Sequence, residues 1–213
     1  MSKDINDVKI KRRFMRDEAY DILQDWIMVG KLEPHTKLRD QELSEMLGIS
    51  RTPIREALLR LEDEGFVVTK PNRWTLVAPM DVEEAENIYS IVWTMECLAL
   101  EQAIDQITVD DIQELNHLNE MFKQTTEQED QLASLQADNE FHNYMINRAN
   151  NPELAKILQN LKVKIQRIEI HYFRYAAKDE SYLEHGQILE ALKNKDLNKA
   201  KQLIQANWQN SLK

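Results

Sequence analysis

The chain has 213 residues, 42% of them hydrophobic, with a formal net charge of −10 at pH 7 and a single cysteine. One cysteine excludes an intrachain disulfide and a cluster of thiolate metal ligands, and no segment approaches the roughly 18 uncharged apolar residues of a membrane-spanning helix. Abundant Leu, Glu, Gln, Lys and Ala beside 4 Gly and 5 Pro favour a mainly helical protein, which we expect to be cytoplasmic and without a membrane partner.

The negative charge lies entirely after residue 80. Residues 1–80 hold 14 Lys and Arg against 14 Asp and Glu, whereas residues 81–213 hold 13 against 23. An acidic chain is a poor candidate for nucleic-acid binding, because phosphate contacts dominate that affinity. The neutral first 80 residues keep such a function open.

The first part of the chain predicts three helices. Residues 13–29 carry apolar side chains at helical spacing. Asp40 is then predicted to cap a short helix, QELSEML, which stops at Gly48. Ser50 is predicted to cap a third helix that ends near Gly65. The apolar stripe of this third helix consists of Ile54, Ala57, Leu58 and Leu61.

Two short β-rich runs follow, at residues 66–69 and 74–77, and the turn residues Pro71 and Asn72 separate them. This pattern predicts a hairpin. Three helices, the second and third joined by a glycine-containing turn, followed by a hairpin make a winged helix-turn-helix. We therefore predict a first domain at residues 1–80.

Two arginines stand at the start of the predicted third helix. Arg51 and Arg55 are four residues apart and share one helical face, opposite the apolar stripe. In a helix-turn-helix protein this end of the helix meets base edges in the major groove, where arginine binds guanine or phosphate. Thr52 adds a hydroxyl, and Arg39 and Gln41 are predicted to reach the adjoining DNA. The alternative is that both arginines only pair with neighbouring carboxylates on a solvated surface.

Residues 81–213 contain no strand pattern and predict a second domain, an antiparallel six-helix bundle. The predicted helices are 82–105, 109–127, 130–149, 152–177, 180–193 and 196–211. Within the third of them, Asp138 and His142 are four residues apart and project from the same face. Such a pair can bind one metal ion, and His185 on a later helix could complete the site. An ordinary hydrogen-bonded pair has the same spacing.

The stretch GISRTPIREALLRLEDEGFV, with WIMVGKLEPHTKLRDQEL upstream, resembles the winged-helix domain of the GntR family of bacterial transcription regulators. The resemblance implies operator contacts by Arg51 and Arg55, and by the neighbouring Ser50 and Thr52. It implies the same of the wing tip, which is Asn72 and Arg73 here. The chain departs from the family pattern at three positions, which are His35 and Trp74 where glycine is usual, and Gln41 where arginine is frequent.

Residues 81–213 are similar to FCD, the effector-binding domain of the FadR subfamily, and six helices resemble its shorter VanR-like branch. In that domain an Asp-x-x-x-His pair and two later histidines often hold a metal. The resemblance implies that Asp138, His142 and His185 bind one divalent ion, zinc-like or nickel-like. The position of the last histidine is Asn207, and an amide oxygen is a weaker ligand for such ions.

The subfamily also tends to carry an arginine that holds a carboxylate effector, four residues before a glutamate. Here the glutamate is Glu96 and the arginine position is Val92. We expect the effector pocket at Val92, Glu96 and Asn207, and Arg167 either faces that pocket or lies on a solvated face. Either a metal is bound weakly by three protein ligands and water, or the pocket has no metal and takes a less acidic effector.

These patterns favour an effector-responsive transcription regulator that binds a near-palindromic operator as a homodimer. The resemblance implies a repressor, which is the most frequent role in this family. The alternative is a metal-dependent enzyme of small molecules built on Asp138, His142 and His185, with Glu140 or Glu184 as the nearest candidate base. A third hypothesis is an interaction module whose basic helix binds the carboxylates of a partner. We expect the first hypothesis to hold, and therefore no enzymatic activity.

Overall fold

The computed structural model describes residues 14–70, 73–80, 85–172 and 178–211. The chain divides into two compact units, residues 1–80 and residues 81–213. The predicted fold class, mainly helical with one small hairpin, is confirmed. In the described part of the chain, no helix has the length and apolar character needed to cross a membrane.

The N-terminal unit consists of three helices and a two-stranded antiparallel hairpin. Its elements are α1 (Met15–Met28), α2 (Asp40–Leu47), α3 (Arg51–Asp63), β1 (Val67–Lys70) and β2 (Trp74–Val77). Helix α3 packs against α1, α2 and β1. Its predicted apolar stripe is buried, with Ile54 and Leu61 fully inaccessible to solvent. Because this stripe faces the core, the opposite face of α3 is left on the surface.

The hairpin has the register of Val67 opposite Val77 and Lys70 opposite Trp74. The predicted turn residue Asn72 lies outside the described residues, as does Pro71.

His35, which stands where the family usually has glycine, adopts a φ of +67°. This left-handed conformation suits glycine better than a residue with a Cβ atom, which is a physical reason for the family's preference.

The predicted cap of α2 is wrong. Arg39 occupies the N-cap position, Asp40 is the first residue of the helix, and no side-chain capping bond forms. The Asp40 carboxylate instead binds the guanidinium groups of Arg51 and Arg55, since two cations are stronger partners than a backbone N–H. Ser50 does hold the N-cap position of α3, but its side chain makes no capping hydrogen bond.

The described part of the C-terminal unit contains six α-helices and one turn of 3-10 helix. Its elements are α4 (Ala85–Ala103), the 3-10 turn (Ile104–Gln106), α5 (Val109–Glu127), α6 (Gln131–Arg148), α7 (Pro152–Tyr172), α8 (Lys178–Lys193) and α9 (Leu197–Asn210). Helix α4 contacts α6, α7 and α9, and α5 contacts α6 and α8. These contacts bring the inner faces of α4 to α9 together around one apolar core.

Helix α5 begins with a strong local start signal. The Thr108 side chain accepts a hydrogen bond from the Asp111 backbone, and the Asp111 side chain accepts one from the Thr108 backbone. This reciprocal capping box satisfies two backbone N–H groups that a helix start would otherwise leave unpaired. The Asp111 carboxylate also accepts from the hydroxyl of Tyr144, which ties the start of α5 to α6.

Candidate functional sites

A groove of about 580 Å³ lies between the starts of α2 and α3 and the hairpin. We call it the arginine groove. Its charged and polar lining residues are Arg39, Asp40, Gln41, Arg51, Arg55, Glu62, Thr69, Lys70, Arg73 and Thr75, and its apolar ones are Leu38, Leu58, Leu59 and Trp74. Five cations therefore meet two carboxylates here. This excess of positive charge makes the groove a suitable binding surface for a polyanion.

The structure brings together most of the residues that the sequence predicts for DNA contact. Arg39, Gln41, Arg51, Arg55 and Arg73 all line the arginine groove. The two other described candidates are Ser50, at the N-cap of α3, and Thr52, in its first turn. Both are exposed, but neither lines the arginine groove.

One carboxylate holds both arginines of α3. Asp40 Oδ1 lies 2.7 Å from Arg51 Nη2, and Asp40 Oδ2 lies 2.6 Å from Arg55 Nε. The hydrogen bond from Arg51, which is the largest contribution, and the one from Arg55 lower the pKa of Asp40 despite its partial burial. Sequence patterns assigned Asp40 to helix capping and missed this contact, because the three residues belong to two different helices.

The arginines remain available to a ligand. The side chains of Arg51 and Arg55 are 52% and 64% exposed. Ion pairs this exposed contribute little to stability, because water competes with the partner. A phosphate or a guanine edge could therefore take the place of Asp40 at little cost.

The second site lies within the C-terminal unit. Asp138 and His142 on α6 and His185 on α8 place one potential ligand atom each within 4.8 Å of one another. We call these three residues the histidine site. His142 and His185 are 1% and 0% exposed. The structure thus brings together the three residues that the sequence predicts to bind a metal.

The histidine tautomers follow from their hydrogen bonds. His142 Nδ1 lies 2.7 Å from Glu96 Oε2, a carboxylate that can only accept. His185 Nδ1 lies 3.0 Å from Asn119 Oδ1, and the amide nitrogen of Asn119 donates to the Tyr182 carbonyl. Both Nδ1 atoms therefore carry a proton, and in a neutral ring with this tautomer Nε2 keeps the lone pair that a metal needs. Metal-binding histidines are commonly oriented in this way.

The surroundings of His185 test whether the donor set fits a cation. Burial, followed by the charges of His142 and Lys162, lowers its pKa well below the usual value of 6.5, so the ring is neutral at neutral pH. Its Nε2 atom is buried without a hydrogen-bond partner within the described structure. This lone pair faces Asp138 Oδ1 at 3.4 Å. Two acceptors at this distance repel each other unless a cation lies near both, so the donor set fits a divalent ion.

Asn207, which stands at the position of the family's fourth ligand, is engaged elsewhere through its amide nitrogen. Asn207 Nδ2 donates to Glu184 Oε2 at 2.8 Å. Glu184 also accepts from Asn210, and the other candidate base, Glu140, is exposed and accepts from Gln136. Among the residues that the structure describes, neither glutamate has a contact that places it as a base beside the histidine site.

Glu96 connects the histidine site to three further elements of the bundle. Its Oε2 accepts from His142 Nδ1 and from Trp208 Nε1, the latter at 2.9 Å, while its Oε1 lies 3.5 Å from Lys162 Nζ. We call Glu96, His142, Lys162 and Trp208 the Glu96 cluster, and all four are buried. Burial alone would raise the pKa of Glu96, but the charges of His142 and Lys162 and the hydrogen bonds from His142 and Trp208 lower it to about 2.

The other predicted effector-pocket residues are also buried. Val92, Arg167 and Asn207 are 0%, 5% and 3% exposed, so the solvated-face interpretation of Arg167 is wrong. Sequence analysis missed Lys162, although a signal existed. Leu158, Lys162 and Ile165 fall on the apolar face of α7, and a lysine within such a stripe needs a buried anion.

Two family profiles cover most of the chain. Residues 15–77 match the profile "Bacterial regulatory proteins, gntR family". Residues 87–210 match the FCD domain.

The chain belongs to the GntR family of bacterial regulatory proteins.

It is a transcriptional regulator of that family with an FCD effector domain. The Escherichia coli K12 transcriptional regulator McbR is 29% identical to this GntR regulator over 192 residues, or 88% of this chain and 86% of McbR. The transcriptional repressor RspR of the same strain is 25% identical over 183 residues, or 85% of this chain and 80% of RspR.

Solved structures agree with this assignment. The structure of E. coli McbR/YncC matches 92% of this chain and 94% of its own, with a TM-score of 0.78 at 26% identity. The structure of Lar, which controls expression of the Listeria monocytogenes agr system, gives a TM-score of 0.67 at 19% identity and covers 95% of this chain and 97% of its own. The second likeness shows the fold alone.

Proposed function

We propose that this GntR regulator binds a near-palindromic operator as a homodimer and acts as a repressor, with the arginine groove as its DNA-contacting surface. Residues 1–80 would be the DNA-binding domain, and residues 81–213 the effector-binding and dimerisation domain. The name of the relative RspR as a repressor supports the direction of control. An effector can change DNA binding only if its affinity differs between the two states of the protein.

The arrangement at the start of α3 is the observation that carries this proposal. Arg51 and Arg55 project from the exposed face of a helix whose other face is buried, and Asp40 holds them side by side. An operator would replace Asp40 with phosphate oxygens or guanine edges. Arg39, Lys70 and Arg73 would add charge around the same groove. Phosphate contacts would fix the position of the protein on DNA, and base contacts would select the sequence.

The negative charge of residues 81–213 supports the assignment of DNA binding to residues 1–80. Residues 81–213 carry the whole net charge of −10, and phosphate repels a surface of that sign. DNA is therefore expected to approach residues 1–80 rather than the bundle.

Helix α4 offers a surface for dimerisation. Ile91 and Leu98 are 47% and 42% exposed, and the partly buried Ile88 and Met95 lie on the same face. The spacing of these four positions, 88, 91, 95 and 98, is that of a helix–helix seam. A second copy of the chain would cover this face through a two-fold axis, which a near-palindromic operator requires.

We further propose one divalent ion, zinc-like or nickel-like, at the histidine site. Asp138, His142 and His185 would hold it, and Asn207 would not be a ligand through its amide nitrogen. The facing acceptors of Asp138 and His185 favour this interpretation over a pocket without metal. A bound ion would supply positive charge and open coordination positions for an oxygen-containing effector.

The double variant Arg51→Ala/Arg55→Ala tests the DNA assignment. Binding to DNA from upstream of its own gene should weaken on the order of 100-fold, because each arginine contact contributes about 1–3 kcal/mol. Fluorescence anisotropy at several salt concentrations would measure both the affinity and its salt dependence. If the arginines contact phosphate, the slope of log K against log salt should fall by about two.

The matched control is Lys156→Ala/Lys199→Ala, which removes two positive charges from exposed positions of the bundle. It should bind the same DNA nearly as well as the unaltered protein. Both variants should keep the dimeric mass in sedimentation equilibrium. Tight, salt-sensitive binding by the arginine variant would contradict the assignment of the groove.

A further inference from the structure

Lys162 is a charged residue of the Glu96 cluster that the resemblance to FCD domains did not anticipate. Its side chain is 3% exposed and lies on α7, where its Nζ donates to Asn143 Oδ1 at 3.0 Å and lies 3.5 Å from Glu96 Oε1. Both contacts are to polar atoms, so the ammonium group is held in place within the bundle.

The charge of Lys162 reaches the histidine site by two routes. The first is direct, since Lys162 Nζ lies 3.5 Å from Glu96 Oε1 while Glu96 Oε2 lies 2.7 Å from His142 Nδ1, which places the ammonium group and a metal ligand in one buried cluster. The second passes through Glu96, whose other oxygen accepts a hydrogen bond from His142 Nδ1. A carboxylate in this position makes a histidine a better metal ligand. A cation beside the carboxylate weakens that effect.

We infer that Lys162 sets the metal affinity of the histidine site, holding it below the value that Asp138, His142, His185 and Glu96 would give without a neighbouring cation. Like charges repel, so the ammonium group and a divalent ion each make the other less favourable. The consequence is a site from which the metal can exchange. This inference rests on the metal proposed above.

A purely structural role predicts something different. If Lys162 only joins α7 to α4 through its ion pair with Glu96, its replacement would change the stability of the bundle and leave the metal affinity unchanged. A measurement of metal affinity therefore separates the two roles.

The experiment measures dissociation constants for Zn²⁺ and for Ni²⁺ by competition with a chromogenic chelator, using the full chain. Lys162→Gln, which keeps a polar group beside Asn143, should bind metal about 10-fold more tightly. Glu96→Gln should bind it about 10–100-fold more weakly, as is usual when the partner of a ligating histidine is changed. Lys164→Gln removes the same charge from the same helix at a half-exposed position and should behave like the unaltered protein.

Each outcome decides one question. Equal metal affinity in Lys162→Gln and the unaltered protein would overturn the role of Lys162 and leave the metal site standing. Absence of metal binding in the unaltered protein and in Lys162→Gln alike would overturn the metal site, and with it this inference. Binding by Lys162→Gln alone would support the effect of Lys162 and overturn the proposal that the unaltered protein holds a metal.

A second pair of variants guards against misfolding of Lys162→Gln. Glu96→Gln/Lys162→Gln removes the anion and the cation together, so neither charge is left buried alone. It should bind metal more tightly than Glu96→Gln does. Equal affinities in these two proteins would overturn the inference.

Discussion

The two units of this regulator place their ion pairs in opposite surroundings. In the N-terminal unit, Arg51 and Arg55 meet Asp40 at the surface, and both arginines are more than half exposed. In the C-terminal unit, Glu96 meets Lys162 and His142 where the side chains are almost inaccessible to solvent. The same kinds of charged group therefore have different uses in the two units.

The solvent exposure of an ion pair decides whether it is suited to ligand binding or to holding the fold. A surface pair gains little free energy, so an incoming phosphate can replace the carboxylate without unfolding anything. A buried pair is costly to separate, because removing one partner leaves the other charge without compensation. The surface pair is suited to macromolecular recognition. The buried cluster is suited to fixing side chains around a small site.

The largest effect on stability should come from Glu96→Ala. This change removes the acceptor of His142 and Trp208 and leaves the Lys162 charge buried, which should cost about 3–5 kcal/mol. Urea unfolding followed by circular dichroism would measure it. The control is Glu101→Ala on the same helix, whose carboxylate pairs with Lys201 at the surface and should cost under about 1 kcal/mol. Equal losses of stability in Glu96→Ala and Glu101→Ala would show that the buried and the surface ion pair do not differ in their contribution.

A smaller effect, on binding rather than stability, should come from Asp40→Asn. Losing the carboxylate removes a charge that repels phosphate, so affinity for unrelated DNA should rise about fivefold. Affinity for the operator should rise less, because Arg51 and Arg55 lose the group that holds them in register. Anisotropy with both DNAs would give the ratio of specific to non-specific affinity.

The control for that variant is Glu42→Gln, which removes the same charge from α2 but releases only Arg39. Its ratio of operator affinity to non-specific affinity should stay close to that of the unaltered protein. A ratio that falls equally in both variants would mean that Asp40 has no positioning role.

The smallest expected effect compares the helix starts of the two units. Thr108→Ala breaks the capping box of α5 and should cost about 1 kcal/mol. Ser50→Ala should cost under about 0.5 kcal/mol, since Ser50 makes no capping bond in α3. Thermal unfolding of both variants measures these losses of stability. A larger loss for Ser50→Ala than for Thr108→Ala would show that the Ser50 side chain caps α3 in the protein without DNA, contrary to the structure.

Local patterns predicted much of the fold. The boundaries of α5 agree with the predicted 109–127, since Thr108 and Asp111 form a start signal within four consecutive residues. The buried stripe of α3 and the paired positions of Asp138 and His142 are likewise set by helical spacing alone. The predicted cap at Asp40 was wrong, because its partners lie 11 and 15 residues away on another helix.

The sequence alone determined the helices, the hairpin, the exposed face of Arg51 and Arg55, and the spacing of Asp138 and His142, because backbone geometry over a few residues fixes each of them. Only the tertiary structure decided which partners the charged groups find. Trp208 and Glu96 are 112 residues apart, and His185 and Asn119 are 66 apart. Such contacts form when packing excludes water from several helices at once, and the burial that this packing imposes is what requires each charge to have a partner.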